Sequence, residues 1–552
     1  MESKFLCTVK IKAGKKVFDY KGGVIQQFAY TLDPNGFEAS FTLVVDVNAI
    51  KKDEFLTPFL DDDLIEIDLT ILPLLSDEKK VKPKPTKLSG IVVKRDLEET
   101  AFRIVARNKK VGYRVYKMTF VDPAQFYWRR NFPILLYRNK KESEVIKAQT
   151  PKGKINLSLK HAAFNETKPL ICLASHDGAC SFYDYVHWRA SALNVVTWYD
   201  YDTEKYNFDK TKPKLDKPEI LEVDDVRTLT VGITEPCRSV VRIKNSYTEA
   251  TKVLEVTNKN KVQGLYRDRL VRTPIAADLN DISDAEKPGQ DRPMPRLNID
   301  FNRYPMYAPY PGTGLKFHDR QWNKGLYGIA KTYRCVSVSF EASLADADEF
   351  TTTERLKGAG YACRMSAVLE NSTDDYVTRV AHTVPTYPIQ VEAVIVTDDG
   401  KEGERVYQFT VDNKTKLQTY RVDATLWSKE GAADGDAKEQ CFIDVPFEPL
   451  HMTGFVYFPL YKDSRVLLNV YHGRAEIFTT LDWGAGVQLP KETQGQNILL
   501  GKNKDSQTAV SHTYVDNKPV FNMGRNDAGD TQTITLKEGL MILEVKANEK
   551  DG

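Results

Sequence analysis

The sequence lacks a hydrophobic run long enough to cross a membrane, because no stretch approaches the ~20 consecutive apolar residues of a transmembrane helix. Its first residues, MESKFLCTVKIKAGKK, contain an apolar run that is shorter than the ~7–15 residues of a secretory leader core. We therefore expect a protein that is made and assembled in the cytoplasm.

The sequence also lacks an excess of charge of one sign. Lysine and arginine number 78 and aspartate and glutamate 76, and the two signs are mixed along the chain. Nucleic-acid binding needs a concentrated basic face that neutralises phosphates. We therefore expect no nucleic-acid partner.

Paired cysteines are missing as well. The seven cysteines are scattered, odd in number and never arranged as Cys-x-x-Cys. A disulfide framework and a zinc ribbon are both disfavoured by this spacing. Reduced, buried thiols are the expected state.

Aromatic residues, in contrast, make up 11% of the chain, and apolar and polar residues alternate with period two from start to end. In DLIEIDLTIL (63–72), Ile65, Ile67, Leu69 and Ile71 share one face and polar residues share most of the other. This pattern is typical of half-buried strands. It predicts a mainly β protein with small helical insertions.

The length of 552 residues exceeds what one hydrophobic core usually serves, so several domains are expected. The patterns predict a β-barrel over 1–118, a helical or mixed insertion over 119–168, a second β-barrel domain over 169–383 with a long irregular Pro-rich loop at 273–317, an OB-fold barrel over 384–477, and a strand-rich tail over 478–552. The tail strands have little to cover them. We expect them to fold by combining with identical tails.

Two segments carry a family resemblance. They are YRVYKMTFVDPAQFYWRRNFPILLY (113–137) and PLICLASHDGACSFYDYVHW (169–188), the second followed by VVTWYDYDTEKYNF. In this order of parts the chain resembles the hub–spike proteins of contractile injection systems: VgrG of type VI secretion, its counterparts in extracellular injection particles and phage tail-like particles, and the baseplate hubs of myophages.

The resemblance implies a non-enzymatic homotrimer that adapts a six-fold tail tube to a three-fold spike. Its implied partners are the tail tube protein, baseplate wedge proteins, a PAAR-like spike tip and an effector cargo. The implied spike stem is a three-sided β-prism that pierces the target membrane when the baseplate is driven outward on contraction. Asp177-Gly178-Ala179 departs from the family's Glu-Ser-Asp, and the tail has no valine-glycine repeats. A plain hub with a blunt spike base is therefore expected.

Two groups of residues are candidates for a chemical site. Cys172, His176, Cys180 and His187 could bind zinc, but no closely spaced ligand pair precedes them, so buried thiols and a surface histidine are the better interpretation. Ser175-His176-Asp177 contains the residue types of a catalytic triad. Adjacent residues do not face one another in a triad, so no hydrolase is predicted.

Three further groups are predicted to have structural roles only. GAGYAC (358–363) and GTGLK (312–316) lack the residues of phosphate-binding loops and are predicted to be turns. Asp61-Asp62-Asp63 is interpreted as a solvated strand entry. The aromatic group is interpreted as core or subunit interface; it comprises Trp188, Trp198, Tyr199, Tyr201 and Tyr206. No catalytic residue, cofactor or metal is predicted.

Two other functions remain open on the sequence. The aromatic content and serial β modules also fit a carbohydrate-binding multidomain protein, which would place a carboxylate pair in an aromatic cleft. The same features fit another virion component, such as a tail fibre or a hexameric distal tail protein.

Overall fold

A computed structural model describes residues 2–46, 53–74, 83–104, 109–174, 178–215, 217–247, 252–290, 294–305, 307–318, 320–322, 331–345, 359–396, 410–424, 442–447, 460, 462, 464–482, 496–503 and 506–547. The chain divides into two compact units. The first comprises 1–133, 141–166 and 179–384, and the second comprises 134–140, 167–178 and 385–552.

The described secondary structure is dominated by strands. Those of the first half are β1 (Glu2–Ala13), β2 (Lys16–Lys21), β3 (Ile25–Asp33), β4 (Gly36–Asp46), β5 (Ile65–Pro73), β6 (Thr86–Ile104), β7 (Lys109–Val121), β8 (Leu136–Lys141), β9 (Asn156–Leu159), β10 (Thr167–Cys172), β11 (Val196–Asp200), β12 (Lys205–Asp209), β13 (Glu219–Leu221), β14 (Val226–Gly232), β15 (Val240–Asn245), β16 (Lys252–Val256) and β17 (Tyr266–Val271). Those of the second half are β18 (Arg296–Phe301), β19 (Gly314–Phe317), β20 (Thr332–Leu344), β21 (Ala359–Asn371), β22 (Ile389–Ile395), β23 (Thr410–Val411), β24 (Gln418–Asp423), β25 (Phe442–Pro446), β26 (Arg465–Tyr471), β27 (Arg474–Asp482), β28 (Gln496–Asn503), β29 (Ser506–Val515), β30 (Lys518–Asp527), β31 (Asp530–Lys537) and β32 (Leu540–Lys546). The helices are α1 (Leu56–Leu60), α2 (Pro123–Trp128), α3 (Glu142–Ala148), α4 (Phe182–Ala192) and α5 (Ala276–Glu286). The predicted mainly β class is confirmed.

One thirteen-stranded sheet organises the first unit. Its strands follow the order β20-β3-β4-β7-β6-β5-β1-β21, and β20 also pairs with β21, so these eight strands form a closed ring. In β5, Ile65, Ile67, Leu69 and Ile71 are buried, which confirms the face predicted for them. The predicted first barrel ended at residue 118, whereas the ring is completed by the β20–β21 hairpin more than 200 residues later.

Each strand of the β20–β21 hairpin pairs with two different strands of the same sheet. The C-terminal half of β20 pairs with β3, and the N-terminal half pairs with β19. Likewise, the first residues of β21 pair with β1, and its later residues pair with β18. The two barrel domains that the sequence predicted as separate, over 1–118 and 169–383, are therefore joined in one sheet through these strands.

Aromatic side chains fill the inside of the ring. Phe5, Phe28, Phe340, Tyr361 and Tyr304 are buried, and their ring centroids lie 4.9–6.3 Å apart along the contacts between them. Most of these contacts are edge-to-face, the arrangement that aromatic quadrupoles favour. The ring is thus a packed core.

The prediction of an irregular loop at 273–317 is wrong. The segment contains α5, β18 and β19, and Tyr304, Tyr307 and Tyr310 between the two strands are buried. Tyr304 Oη lies 2.7 Å from Thr86 Oγ1, and Tyr310 Oη accepts a 2.7 Å hydrogen bond from the Lys87 backbone NH. These tyrosines hold the segment onto the main sheet, so it is not a surface loop.

Residues 233–295 form an insertion between two adjacent strands. β14 and β18 pair antiparallel, and Gly232 stands opposite Arg296, on either side of the insertion. Within it, β16-β15-β17 form a three-stranded sheet with a core of Val241, Ile243, Val256 and Leu279, the last from α5. We call residues 233–290 the insertion module.

The helices α2, α3 and α4, which follow β7 in the chain, are fixed by buried polar contacts. Asp122 caps α2 and is fully buried; its carboxylate accepts hydrogen bonds from the backbone NH groups of Phe37 and Gln125 and from the Tyr206 hydroxyl. Burial raises the pKa of this carboxyl, against the lowering effect of its donors. Arg189 of α4 donates through Nε and Nη2 to Oε1 of the buried Glu142 of α3, at 2.9 and 2.5 Å.

The second unit contains a six-stranded sheet, with order β23-β24-β22-β26-β27 and β25 paired to β24. Its core includes Val391, Val422 and Leu468. Leu136 of β8 and Leu170 and Cys172 of β10 belong to the same core. Residues 169–174, assigned from the sequence to the second barrel domain, therefore pack in this unit. The tail strands β28–β32 form a separate five-stranded antiparallel sheet.

Candidate assembly surface

The tail sheet is a continuous meander joined by tight turns. Asp516-Asn517, Ala528-Gly529 and Glu538-Gly539 each have positive φ at both residues. Two such residues are the mark of the type I′ turn, whose twist matches that of a β-hairpin. These turns fix the register of β29–β32, and a fixed register places alternate side chains on opposite faces.

One row of apolar residues crosses all five strands. Ile498, Val510, Met523, Ile534 and Leu543 are successive cross-strand partners from β28 to β32. A second row on the same face joins His512, Phe521, Leu536 and Met541. We call this side of the sheet the apolar face.

The opposite side is polar over most of its area. Ser511, Asn522 and Thr535 form one of its rows, and Thr535 Oγ1 donates a 2.8 Å hydrogen bond to Asn522 Oδ1. Thr533 and Glu544 are partners in the next row. The sheet is therefore amphipathic, with one face suited to water and one suited to burial.

Much of the apolar face is nevertheless exposed in the single chain. Leu543 is 65% and Val545 78% exposed, and Ile498, Met523, Ile534, Leu536 and Met541 are also exposed. An open groove of about 500 Å³ lies at the end of the sheet near the Glu538-Gly539 turn, lined in part by His512, Phe521 and Leu536. Exposed apolar residues that are contiguous on one face are typical of interaction surfaces.

β32 is also an unprotected sheet edge. It pairs only with β31 in the described part of the chain, and all of its residues are exposed. Leu540 and Ile542 add apolar side chains on the face opposite Met541, Leu543 and Val545. Natural edge strands usually carry charges, prolines or bulges that prevent pairing. The lack of these devices along 540–543 suits an edge that is covered on assembly.

The candidate zinc ligands do not form a metal site in the described structure. Cys172 lies in the core of the second unit, where burial raises its thiol pKa to about 12. Cys180 belongs to the first unit, and its thiol donates to the Thr383 carbonyl oxygen at 3.7 Å. His187 is buried, and burial lowers its pKa to about 3. His176, with Ser175 and Asp177, lies outside the described residues.

The remaining predicted groups take structural positions. Tyr199, Tyr201 and Tyr206 are buried and contact one another, with centroids 4.6 and 4.8 Å apart for Tyr199–Tyr206 and Tyr199–Tyr201. Residues 359–363 lie in β21 rather than in the predicted turn, and Gly312 occupies a turn before β19. Asp61, Asp62 and Asp63 are exposed ahead of β5.

Two negative findings apply to the described residues. They contain no group of three or more histidine, cysteine, aspartate or glutamate side chains placed to hold a metal ion. Among the helices of the same residues, none combines the length and hydropathy of a membrane span.

Comparison with solved structures identifies the fold. A chain in a half-lidded Francisella PdpA–VgrG complex matches 98% of this chain and 88% of its own length, with a TM-score of 0.72 and 13% identity. The lidded form of that complex gives a TM-score of 0.71 at 13% identity, over 99% and 80% of the two chains. A lidless PdpA–VgrG complex gives 0.69 at 12% identity, over 99% of both.

These matches confirm the predicted resemblance to VgrG-like hub–spike proteins at the level of the fold. The likeness extends over nearly the whole chain and so includes the tail sheet and the insertion module. No protein-family model matches the sequence, and no curated protein matches it either. At 12–13% identity, the fold is the property that these structures share with this chain.

Proposed function

We propose that this chain is the structural hub and spike base of a contractile injection system, acting as a homotrimer without enzymatic activity. The observation that carries the proposal is the exposed apolar face of the tail sheet. Three copies would bury this face against one another and form a three-sided β-prism. The unprotected edge of β32 would be covered in the same assembly.

The energetics favour self-association of the tail. Burying a leucine, isoleucine or methionine side chain is worth about 1.5–3 kcal/mol. Each copy would bring Met523, Ile534 and Leu543 to the shared core, together with the row that contains Phe521 and Leu536. Three-fold closure also removes the open edges that would otherwise recruit unrelated strands.

The proposed role implies further binding partners. The first unit would seat the six-fold tail tube, since the two barrel domains predicted from the sequence would give six elements around the axis of a trimer. Wedge proteins would surround it, and a PAAR-like tip would cap the blunt end of the prism. The solved chains of this fold come from a two-protein complex, which supports a further protein, such as a spike or an effector cargo, bound to the hub.

The remaining details of the proposal concern domains and location. We propose an OB-type barrel for 384–477 and a spike stem for 478–552. The hub would be assembled in the cytoplasm as part of a baseplate, and contraction would then drive it through a target membrane.

The test is the mass of the full-length chain in solution, followed by particle images along the symmetry axis. Multi-angle light scattering should give three times the mass of the chain at micromolar concentration. Images should show a three-fold end and a pseudo-six-fold ring. A monomer would contradict the proposal, and a hexamer would favour a distal tail protein.

A further inference from the structure

The insertion module has a free sheet edge in β17. In the described residues β17 pairs only with β15, in parallel register from Val240–Tyr266 to Asn245–Val271. The side of β17 away from β15 therefore offers backbone NH and carbonyl groups that no described strand uses. Residues 266–270 are all exposed.

The two faces of β17 differ in chemistry. Arg267 and Arg269 lie on the face covered by α5, where both contact Glu286, at 3.8 and 2.8 Å. Tyr266, Asp268 and Leu270 alternate with them and lie on the open face. Leu270 is 73% exposed, the highest value among the exposed large apolar residues of the first unit.

The open face combines apolar side chains with an organised ion network. Asp268 accepts hydrogen bonds from Arg242 Nε and Nη2 at 2.7 and 2.9 Å and from Lys244 Nζ at 2.5 Å. The Arg242 guanidinium also lies 3.7 Å from the centroid of the Tyr266 ring. Tyr266 is thereby held in place, and Leu270 lies four residues further along the same face of the strand.

Four cations lie around β17. Arg267 and Arg269 share Glu286 on the helix-side face, whereas Arg242 and Lys244 contact Asp268 on the open face, where Glu255 is also the cross-strand partner of Arg242. Arg267 is the most exposed of these, and its contact with Glu286 is the longest. Arg267 and Arg269 thus share one carboxylate contact on the helix-side face of the edge strand, where an added strand would place every second side chain.

We propose that the free edge of β17 is a docking site for an extended segment of a partner protein in which acidic and apolar residues alternate. The segment would add a fourth strand to the module by backbone hydrogen bonds. Its acidic side chains would face Arg267 and Arg269, and its apolar side chains would pack beside Tyr266 and Leu270. This inference does not depend on the proposed hub role.

The position of the module suits such a role. The module has a separate hydrophobic core, formed by Val241, Ile243, Val256 and Leu279. The chain leaves the main sheet at the end of β14 and rejoins it at the start of β18, and these two strands are paired. A strand added at β17 therefore needs no change in the ring of eight strands. Arginine at an edge can also serve only to prevent aggregation, and the experiment separates these two roles.

The experiment uses the full-length chain and a fluorescent synthetic peptide of alternating glutamate and valine. Fluorescence anisotropy should show saturable binding that weakens with salt. A lysine-valine peptide of equal length and a glutamate-valine peptide N-methylated at alternate residues should each bind at least tenfold more weakly. Backbone amides of β17 should exchange more slowly with solvent when the first peptide is bound.

Variants of the chain test where on the structure the peptide binds. Arg267→Gln/Arg269→Gln should weaken binding at least tenfold, whereas Lys94→Glu/Lys117→Glu, two exposed paired lysines on β6 and β7, should leave it unchanged. Absence of binding at millimolar peptide, equal binding of the lysine or N-methylated peptide, or unchanged β17 exchange would overturn the proposal. Concentration-dependent protection of β17 without peptide would make a second copy the occupant and would also overturn it.

Discussion

Ile534 and Leu543 are directly opposite each other on β31 and β32, and both side chains are exposed to solvent on the apolar face of the tail sheet. A cross-strand pair of this kind stabilises a sheet most when a third layer covers it. The pair therefore connects the fold of one chain with its proposed association.

Ile534→Glu should dissociate the trimer, because it would place three carboxylates in a shared apolar core. Light scattering should give the mass of one chain at micromolar concentration. Thr531→Glu, on the opposite face of the same strand and across from Lys546, should leave the mass of the trimer unchanged. Equal masses for the two variants would exclude the apolar face as the contact between copies.

Gly36→Ala should destabilise the first unit by about 2–4 kcal/mol, because it disrupts a buried hydrogen-bond network. A Cβ at Gly36 would lie 2.1 Å from Asp122 Oδ2, and the φ of +140° is unfavourable for alanine. Gly153→Ala also has positive φ but meets no atom within 4 Å, so it reports the cost of the backbone alone. Urea unfolding of both variants measures the difference. A Gly36→Ala loss no larger than that of Gly153→Ala would contradict the steric explanation.

Stability should fall as the pH is lowered from about 6.5 towards 3. His187 is buried beside His382 and Arg129, and its pKa is lowered to about 3 by burial and by these charges. The unfolded chain has a histidine pKa of about 6.5, so it binds the proton first and is favoured by acid, at up to about 1.4 kcal/mol per pH unit. His187→Asn should reduce the pH dependence of the urea midpoint in this window. An unchanged slope would show that other groups dominate.

β3 and β20 should open to hydrogen exchange as one cooperative unit, since they are paired strands of a closed ring. Phe340→Ala, which removes a buried ring, should lower the opening free energy of amides in both strands together by about 3–5 kcal/mol. Leu279→Ala should instead affect the strands of the insertion module. Exchange of β3 that is insensitive to Phe340→Ala would mean that the first ring is stable without β20.

The sequence predicted those elements that depend only on the pattern of neighbouring residues. The alternation in 63–72 identified the buried face of β5, and the uncovered apolar runs of the tail identified the sheet that now carries the candidate assembly surface. Period two depends only on neighbouring residues, so it can be recognised without knowing the fold.

The partners of these elements could not be predicted in the same way. Residues 2–5 pair with 359–362, and no local pattern indicates a contact across such a distance. The composition of 273–317 suggested a loop, but Leu279 and Ile282 at helical spacing marked α5, and only the tertiary structure brings Tyr304 into the ring. The burial of His187 likewise depends on what α4 packs against, which no local pattern indicates.

The ladder between β14 and β18 has a consequence for how such chains can change over time. Gly232 and Arg296 are opposite each other, so the chain leaves the main sheet and returns to it across a gap of about 5 Å, which a two-residue hairpin turn can span. The thirteen-stranded sheet therefore accepts either a short turn or a whole folded module at this point. A lineage could gain, lose or exchange the insertion module here while the ring of eight strands stays the same.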